Sequence, residues 1–446
     1  MRKIDLIVGN VYLMDPTTDV LREVSVACHQ GLIVAIDNPE FIASMYQGEE
    51  NLFAQGKYLC PGLINTHTHT FQTLLKGIGR DLPLIDWLNA SVRKAIPRIS
   101  DKALYTATLC ACMDAISSGT TTLLDYAYTN ITPRSMESIG QALNDSGIRG
   151  VLGLGFSEKL YGATSQTVDL SESIDSVCAR VLDMQDRFNK SPMPIFIAPT
   201  AIWNFTEDGL KRVSDFADTH RIPITMHINE TTLDNRYCQE RYRCSCTELL
   251  ERTGILDQRL LAVHCIVMDD ADIARFKAHR VGVSYNPVSN LLLGSGISPI
   301  QRFLDAGLRV SFGTDGAGSN DTQNLMDSIR IGTLVQKGLC HDPTIMKARQ
   351  VVGMATRSGA QALGLGEITG KLEVGRAADF MLLDFSGSYA NPVRDPFSAF
   401  IYQAERTDVA AVFIRGEKIY AEGKFTKIDK EAILADIRSL TREMGL

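Results

Sequence analysis

The sequence predicts a (β/α)8 barrel carrying a small β-sandwich made by both chain ends. Three observations predict it: eight short apolar runs with helix-length spacers, β-like segments at each end, and histidines at the ends of several runs. Residues 4–14 and 24–36, rich in Val and Ile with turn residues between them, read as hairpin strands. Barrel strands are expected near 59–65, 120–125, 149–155, 194–199, 223–228, 260–265, 280–285 and 308–313. Spacers such as Asp101 to Ser118 and Leu170 to Asn189 have polar starts and helical patterning. Short apolar segments return at 378–384, 409–414 and 418–420, and 426–446 reads as an amphipathic helix. Neither end has enough strands for a sound sheet alone, so the two are expected to pair. The resulting units are 1–58, 59–369 and 370–446. An open doubly wound sheet is the alternative, because a strand count does not establish closure.

At 446 residues, 45% hydrophobic and 22% charged, the chain has an ordinary globular composition and can bury a substantial core. A net charge of -7 provides no concentrated basic surface for nucleic acid or an anionic membrane. There is no apolar run of membrane-spanning length and no signal-peptide pattern at the start. A cytoplasmic homo-oligomer acting on a small molecule, without nucleic-acid or membrane partners, is expected. The ten cysteines are spread from Cys28 to Cys340 and are expected to be reduced. Cys110/Cys112 and Cys244/Cys246 lack the spacing of a zinc knuckle and read as ordinary thiols.

The chemically informative residues fall at the ends of the expected strands, where barrel enzymes keep their active sites. The first strand runs into Thr66-His67-Thr68-His69, and residues two apart in extended chain point the same way, so both rings can reach one ion. The fifth ends at His227, the sixth at His264 and the eighth runs to Asp315. Four of the eight histidines are thus placed on one rim, with a carboxylate beside them. Imidazoles with one carboxylate suit zinc, and also iron or manganese. Such an ion brings the pKa of its water from 15.7 to about 7, making hydroxide the expected nucleophile. Glu230, three residues after His227, can swing back over the ion as proton shuttle. His264 is expected to orient the water or steady the attacked carbon's substituent, and Asp315 to double as a second base. Residues 195–204 contain neither Lys nor Glu to bridge a second metal, which favours a single ion.

The segments Pro61-Gly62-Leu63-Ile64-Asn65-Thr66-His67-Thr68-His69, His227-Ile228-Asn229-Glu230-Thr231, Val263-His264-Cys265 and Gly313-Thr314-Asp315-Gly316-Ala317-Gly318-Ser319-Asn320-Asp321 resemble the amidohydrolase superfamily. Asn286-Pro287-Val288-Ser289-Asn290 and the region from Gly370 to Asp379 extend the likeness over nearly the whole chain. It is similar above all to the branch holding S-adenosylhomocysteine/methylthioadenosine deaminases, guanine deaminase and s-triazine hydrolases. The resemblance implies His67, His69, His227 and Asp315 as ligands of one divalent ion, Glu230 and His264 in catalysis, and hydrolytic deamination of an amino-substituted purine, pterin, pyrimidine or triazine. Gln72, Trp87 and Asn290 are candidate substrate contacts. In the adenosine-type members a glutamate soon after a Trp-Leu pair holds the ribose hydroxyls. Here residues 89–99, after Trp87-Leu88, contain no acid, which weakens a nucleoside assignment. Two alternatives stay open: the same site expelling chloride or an alkylamine, and a barrel without catalysis that serves as a binding protein. The Gly-rich fingerprint of a dinucleotide cofactor is absent.

Overall fold

The computed structural model describes residues 1–18, 22–128, 130–164, 167–191 and 193–446. The N-terminal segment forms β1 (Arg2–Leu13), β2 (Glu23–His29), β3 (Leu32–Asp37), β4 (Tyr46–Phe53) and β5 (Tyr58–Pro61). The barrel strands follow: β6 (Leu63–Thr68), β7 (Thr120–Ala127), β8 (Arg149–Phe156), β9 (Ile195–Pro199), β10 (Ile224–Ile228), β11 (Leu260–His264), β12 (Gly282–Tyr285) and β13 (Arg309–Phe312). The C-terminal segment adds β14 (Phe380–Leu383), β15 (Val409–Ile414), β16 (Glu417–Ala421) and β17 (Lys424–Phe425).

Strands β6 to β13 pair in sequence order, all parallel, and are buried on both faces beneath helices, which explains their near-continuous apolar character. Their ends meet through the backbone N–H groups of Thr314 and Asp315, which donate to the carbonyl of His67 at 3.2 and 3.0 Å. Thr66 Oγ1 donates to the carbonyl of Phe312 at 2.9 Å across the same seam. Closure excludes the open doubly wound sheet.

The first barrel strand departs from the expected 59–65. Tyr58–Pro61 instead pairs antiparallel with β14, and the barrel strand begins only after Gly62. A Cβ at Gly62 would overlap the Thr121 side chain, so only glycine lets the chain cross there from one sheet to the other. His67 consequently lies inside β6 and His69 just beyond it.

Both chain ends supply one hydrogen-bonded sheet in the order β17-β16-β15-β14-β5-β1-β2-β3, with β4 paired to β1. Leu6, Val8, Val26, Phe380, Leu382 and Phe413 join the two ends in one buried apolar cluster. A buried ion pair ties this sheet to the barrel: Arg149 at the start of β8 donates to Asp379 at 2.7 and 3.1 Å, and the backbone N–H of Arg415 donates to the same carboxylate at 2.7 Å. The expected C-terminal helix spans Lys430–Glu443 and lies against the barrel helix Asp101–Ile116. Among the described residues, no helix is long and apolar enough to cross a membrane. All ten cysteines are free thiols.

Candidate active site

His67, His69, His227, Glu230, His264 and Asp315 gather at the carboxyl ends of β6, β10, β11 and β13, and all except His67 border one cavity. Backbone turns bring them there. His264 and Asp315 have φ of 70° and 62°, left-handed values that cost a non-glycine residue roughly 1–2 kcal/mol each. Asn229, at φ 48°, reverses the chain after β10 so that Glu230 returns over the strand ends. Thr231 then caps the helix Thr232–Tyr242, its capping box completed by Asp234.

The ring nitrogens of His69 and His227 are fixed by their partners. Nδ1 of His69 donates to the carbonyl of Tyr126 and Nδ1 of His227 to that of Thr200, each at 2.6 Å. A carbonyl only accepts, so each neutral ring carries its proton on Nδ1 and presents a bare lone pair on Nε2. Those two lone pairs face each other at 3.4 Å, and the His69 Nε2 also faces Asp315 Oδ1 at 3.1 Å. The Nε2 of His67 approaches the same carboxylate oxygen at 3.2 Å. The bare Nε2 atoms of His69 and His227 and the Asp315 oxygen are acceptors crowded together, which repel unless a cation lies among them, and two overlapping groups, His67/His69/Asp315 and His67/His227/His264, bring ligand atoms close enough to hold a divalent ion.

Burial supports the neutral rings. It pushes the His67 imidazole down to about 3 in spite of the neighbouring Asp315. It also drives His227 well below its ordinary value, with the neighbouring histidines adding to the effect. Burial alone would raise Asp315, but the two imidazoles set against its Oδ1 hold it well below the usual carboxylate range. Its second oxygen accepts from Ser289 at 2.6 Å and Ser319 at 3.1 Å. Burial raises the Glu230 carboxyl, opposed by His264, whose Nε2 lies 3.7 Å from it. Ser295 donates to the other Glu230 oxygen at 3.3 Å.

Gln72 and Trp87 line the cavity, as do Tyr128, Trp203, Arg93 and Ile96. Gln72 donates to the Tyr128 hydroxyl at 2.9 Å and packs where a Cβ on Gly316 would intrude. Asn290 does not border the cavity; its side-chain oxygen accepts from His264 Nδ1 at 2.7 Å. No sequence pattern singles out Ser289, Ser295, Ser319, Tyr128 or Arg93. Ser289 and Ser319 lie within the asparagine- and glycine-rich segments 286–290 and 313–321, which is their only signal. Ile96 stands in the acid-free stretch after Trp87, and no other residue of 89–99 places a carboxylate there.

The amidohydrolase family profile matches residues 58–419. A 5-methylthioadenosine/S-adenosylhomocysteine deaminase of Acetivibrio thermocellus is 30% identical over 438 residues, covering 98% of both chains. A 5'-deoxyadenosine deaminase of Methanosarcina acetivorans is 32% identical over 443 residues, 99% of this chain and 98% of that one. Among solved structures, a zinc-bound adenosine deaminase of Xanthomonas campestris superposes with a TM-score of 0.92 at 26% identity, covering 99% of each chain. An atrazine chlorohydrolase of Arthrobacter aurescens, complexed with zinc, shares the fold at a TM-score of 0.87 and 23% identity, covering 98% of this chain and 100% of that one.

Proposed function

This chain belongs to the amidohydrolase family, and on that premise we propose that His67, His69, His227 and Asp315 hold its divalent ion while Glu230 carries the proton of the reaction. The enzyme is a metal-dependent hydrolytic deaminase that replaces the amino group of a nitrogen heterocycle by oxygen and releases ammonia. The divalent ion is zinc in character, given the nitrogen-rich donor set and the zinc-bound relatives. When bound, it supplies a Lewis acid that brings water within reach of deprotonation near neutral pH.

Glu230 takes one proton from the attacking water and gives it to the ring nitrogen beside the reacting carbon, then passes the second, from the new hydroxyl, to the departing amine. The water oxygen bonds to that carbon, the carbon–nitrogen bond breaks, and ammonia leaves with the second proton while the ring nitrogen keeps the first. His264, anchored through Nδ1 by Asn290, turns Nε2 toward the water and steadies charge on the new oxygen. Asp315 keeps its carboxylate through Ser289 and Ser319 and serves as ligand and second base. Trp87, Trp203 and Gln72 line the cavity that receives the heteroaromatic ring.

The observation that carries the reading is the facing of Nε2 lone pairs against one another and against Asp315. The test is ammonia release by the zinc-loaded enzyme from adenine nucleosides, for which the relatives are named, and from aminopyrimidines and aminotriazines. Ammonia formed one-to-one with loss of the aminated ring is expected. Halide or alkylamine release from substituted triazines, with no ammonia from any amino heterocycle, would instead favour the other leaving groups.

A further inference from the structure

The charge balance of the cavity has a gap. Arg93 is the one lysine or arginine among the described residues that line it. The side chain is half-buried, and its hydrogen bonds go to uncharged groups: the Asn89 side chain at 3.0 Å and the carbonyl of Tyr161 at 2.7 Å. Among the described residues it has no carboxylate partner. The cavity's acids are all engaged elsewhere. Glu230 and Asp315 belong to the catalytic cluster, and Glu172 is gripped by Arg180 at 2.5 and 2.9 Å and by Asn130 at 2.6 Å. The neighbours of Arg93 on this wall, Leu84, Leu88, Val92 and Ile96, are apolar. Burial raises the Tyr128 hydroxyl and the charge of Arg93 opposes it, and the Tyr128 ring stands edge-on to His69 at 4.8 Å. A guanidinium withdrawn from water without a carboxylate is costly, and a planar fork of donors suits an oxygen acceptor brought by a ligand.

We propose that Arg93 selects substrates bearing an anionic or carbonyl oxygen beside the aminated ring. The inference rests on the deaminase reading above and narrows it. Two sources of that oxygen share the chemistry: an oxo group on the ring, or a carboxylate on its substituent. A sugar diol is a poorer match, because the wall offers it no free carboxylate.

Two matched pairs separate the sources: isoguanine against adenine for a ring oxo group, and S-adenosylhomocysteine against methylthioadenosine for a carboxylate. Dissociation constants are measured on the zinc-loaded Glu230→Gln variant, so that binding is read without turnover. In at least one pair the oxygen-bearing member is expected to bind about 10- to 100-fold more tightly, the range for a hydrogen bond to a charged group. Adding Arg93→Met should bring that ratio close to one while leaving the poorer member within about threefold. A purely structural Arg93 would weaken both members alike. Ratios near one in both pairs, or a ratio that survives Arg93→Met, would overturn the proposal. Selective binding without ammonia release by the unmodified enzyme would instead remove the deaminase reading and leave the selectivity standing.

Discussion

Replacing Glu230 by glutamine separates proton transfer from every other function of the site. Glutamine keeps the shape, retains one oxygen to accept from Ser295, and leaves the four ligand side chains untouched. It loses the basic oxygen that lies 3.7 Å from His264 Nε2. General acid–base catalysis is worth about 10²- to 10⁴-fold. Glu230 is assigned two transfers, from water and to the leaving nitrogen, so the loss should fall in the upper part of that range. A 10³- to 10⁴-fold drop in kcat corresponds to about 4 to 5.5 kcal/mol of barrier. KM should change by less than about threefold, since the lost interaction acts in the transition state. The assay is steady-state ammonia release coupled to glutamate dehydrogenase, run beside metal analysis of the same preparation. A variant within about tenfold of the parent enzyme, with its metal intact, would refute the reasoning; loss of the metal would make Glu230 a structural residue.

Asn290→Ala should lower kcat by about 10- to 100-fold with metal content unchanged, because it frees the His264 ring held at 2.7 Å. Steady-state kinetics with metal analysis reads this, and an effect confined to KM would return Asn290 to substrate contact. Asp379→Ala leaves the largely buried Arg149 without its partner and should cost about 2 to 4 kcal/mol in urea unfolding. A cost below about 1 kcal/mol would mean that the terminal sheet docks on the barrel by its apolar contacts alone.

The barrel was legible because its strands are buried on both faces and read as short apolar runs with helix-length gaps. Local chemistry also placed His227, Glu230, His264 and Asp315, since each follows an apolar run within a few residues. The sequence sets the first strand several residues early because Leu59 to Asn65 reads as one mainly apolar stretch, and only the crowding of Gly62 against Thr121 divides it between two sheets. Contacts made across the barrel were invisible for a different reason. Asn290 and His264, or Ser289 and Asp315, lie 26 residues apart and meet only when neighbouring strands align. Arg93 left no signal at all: its significance is the absence of a partner, which a sequence does not display.

Metal stoichiometry, measured by mass spectrometry on the zinc-reconstituted protein and on His227→Ala, bears most directly on the site. One zinc per chain is expected in the parent, and well under half an equivalent in the variant after dialysis, alongside loss of ammonia release. Two equivalents in the parent, or a full equivalent bound just as tightly by His227→Ala, would contradict a single ion held by His67, His69, His227 and Asp315.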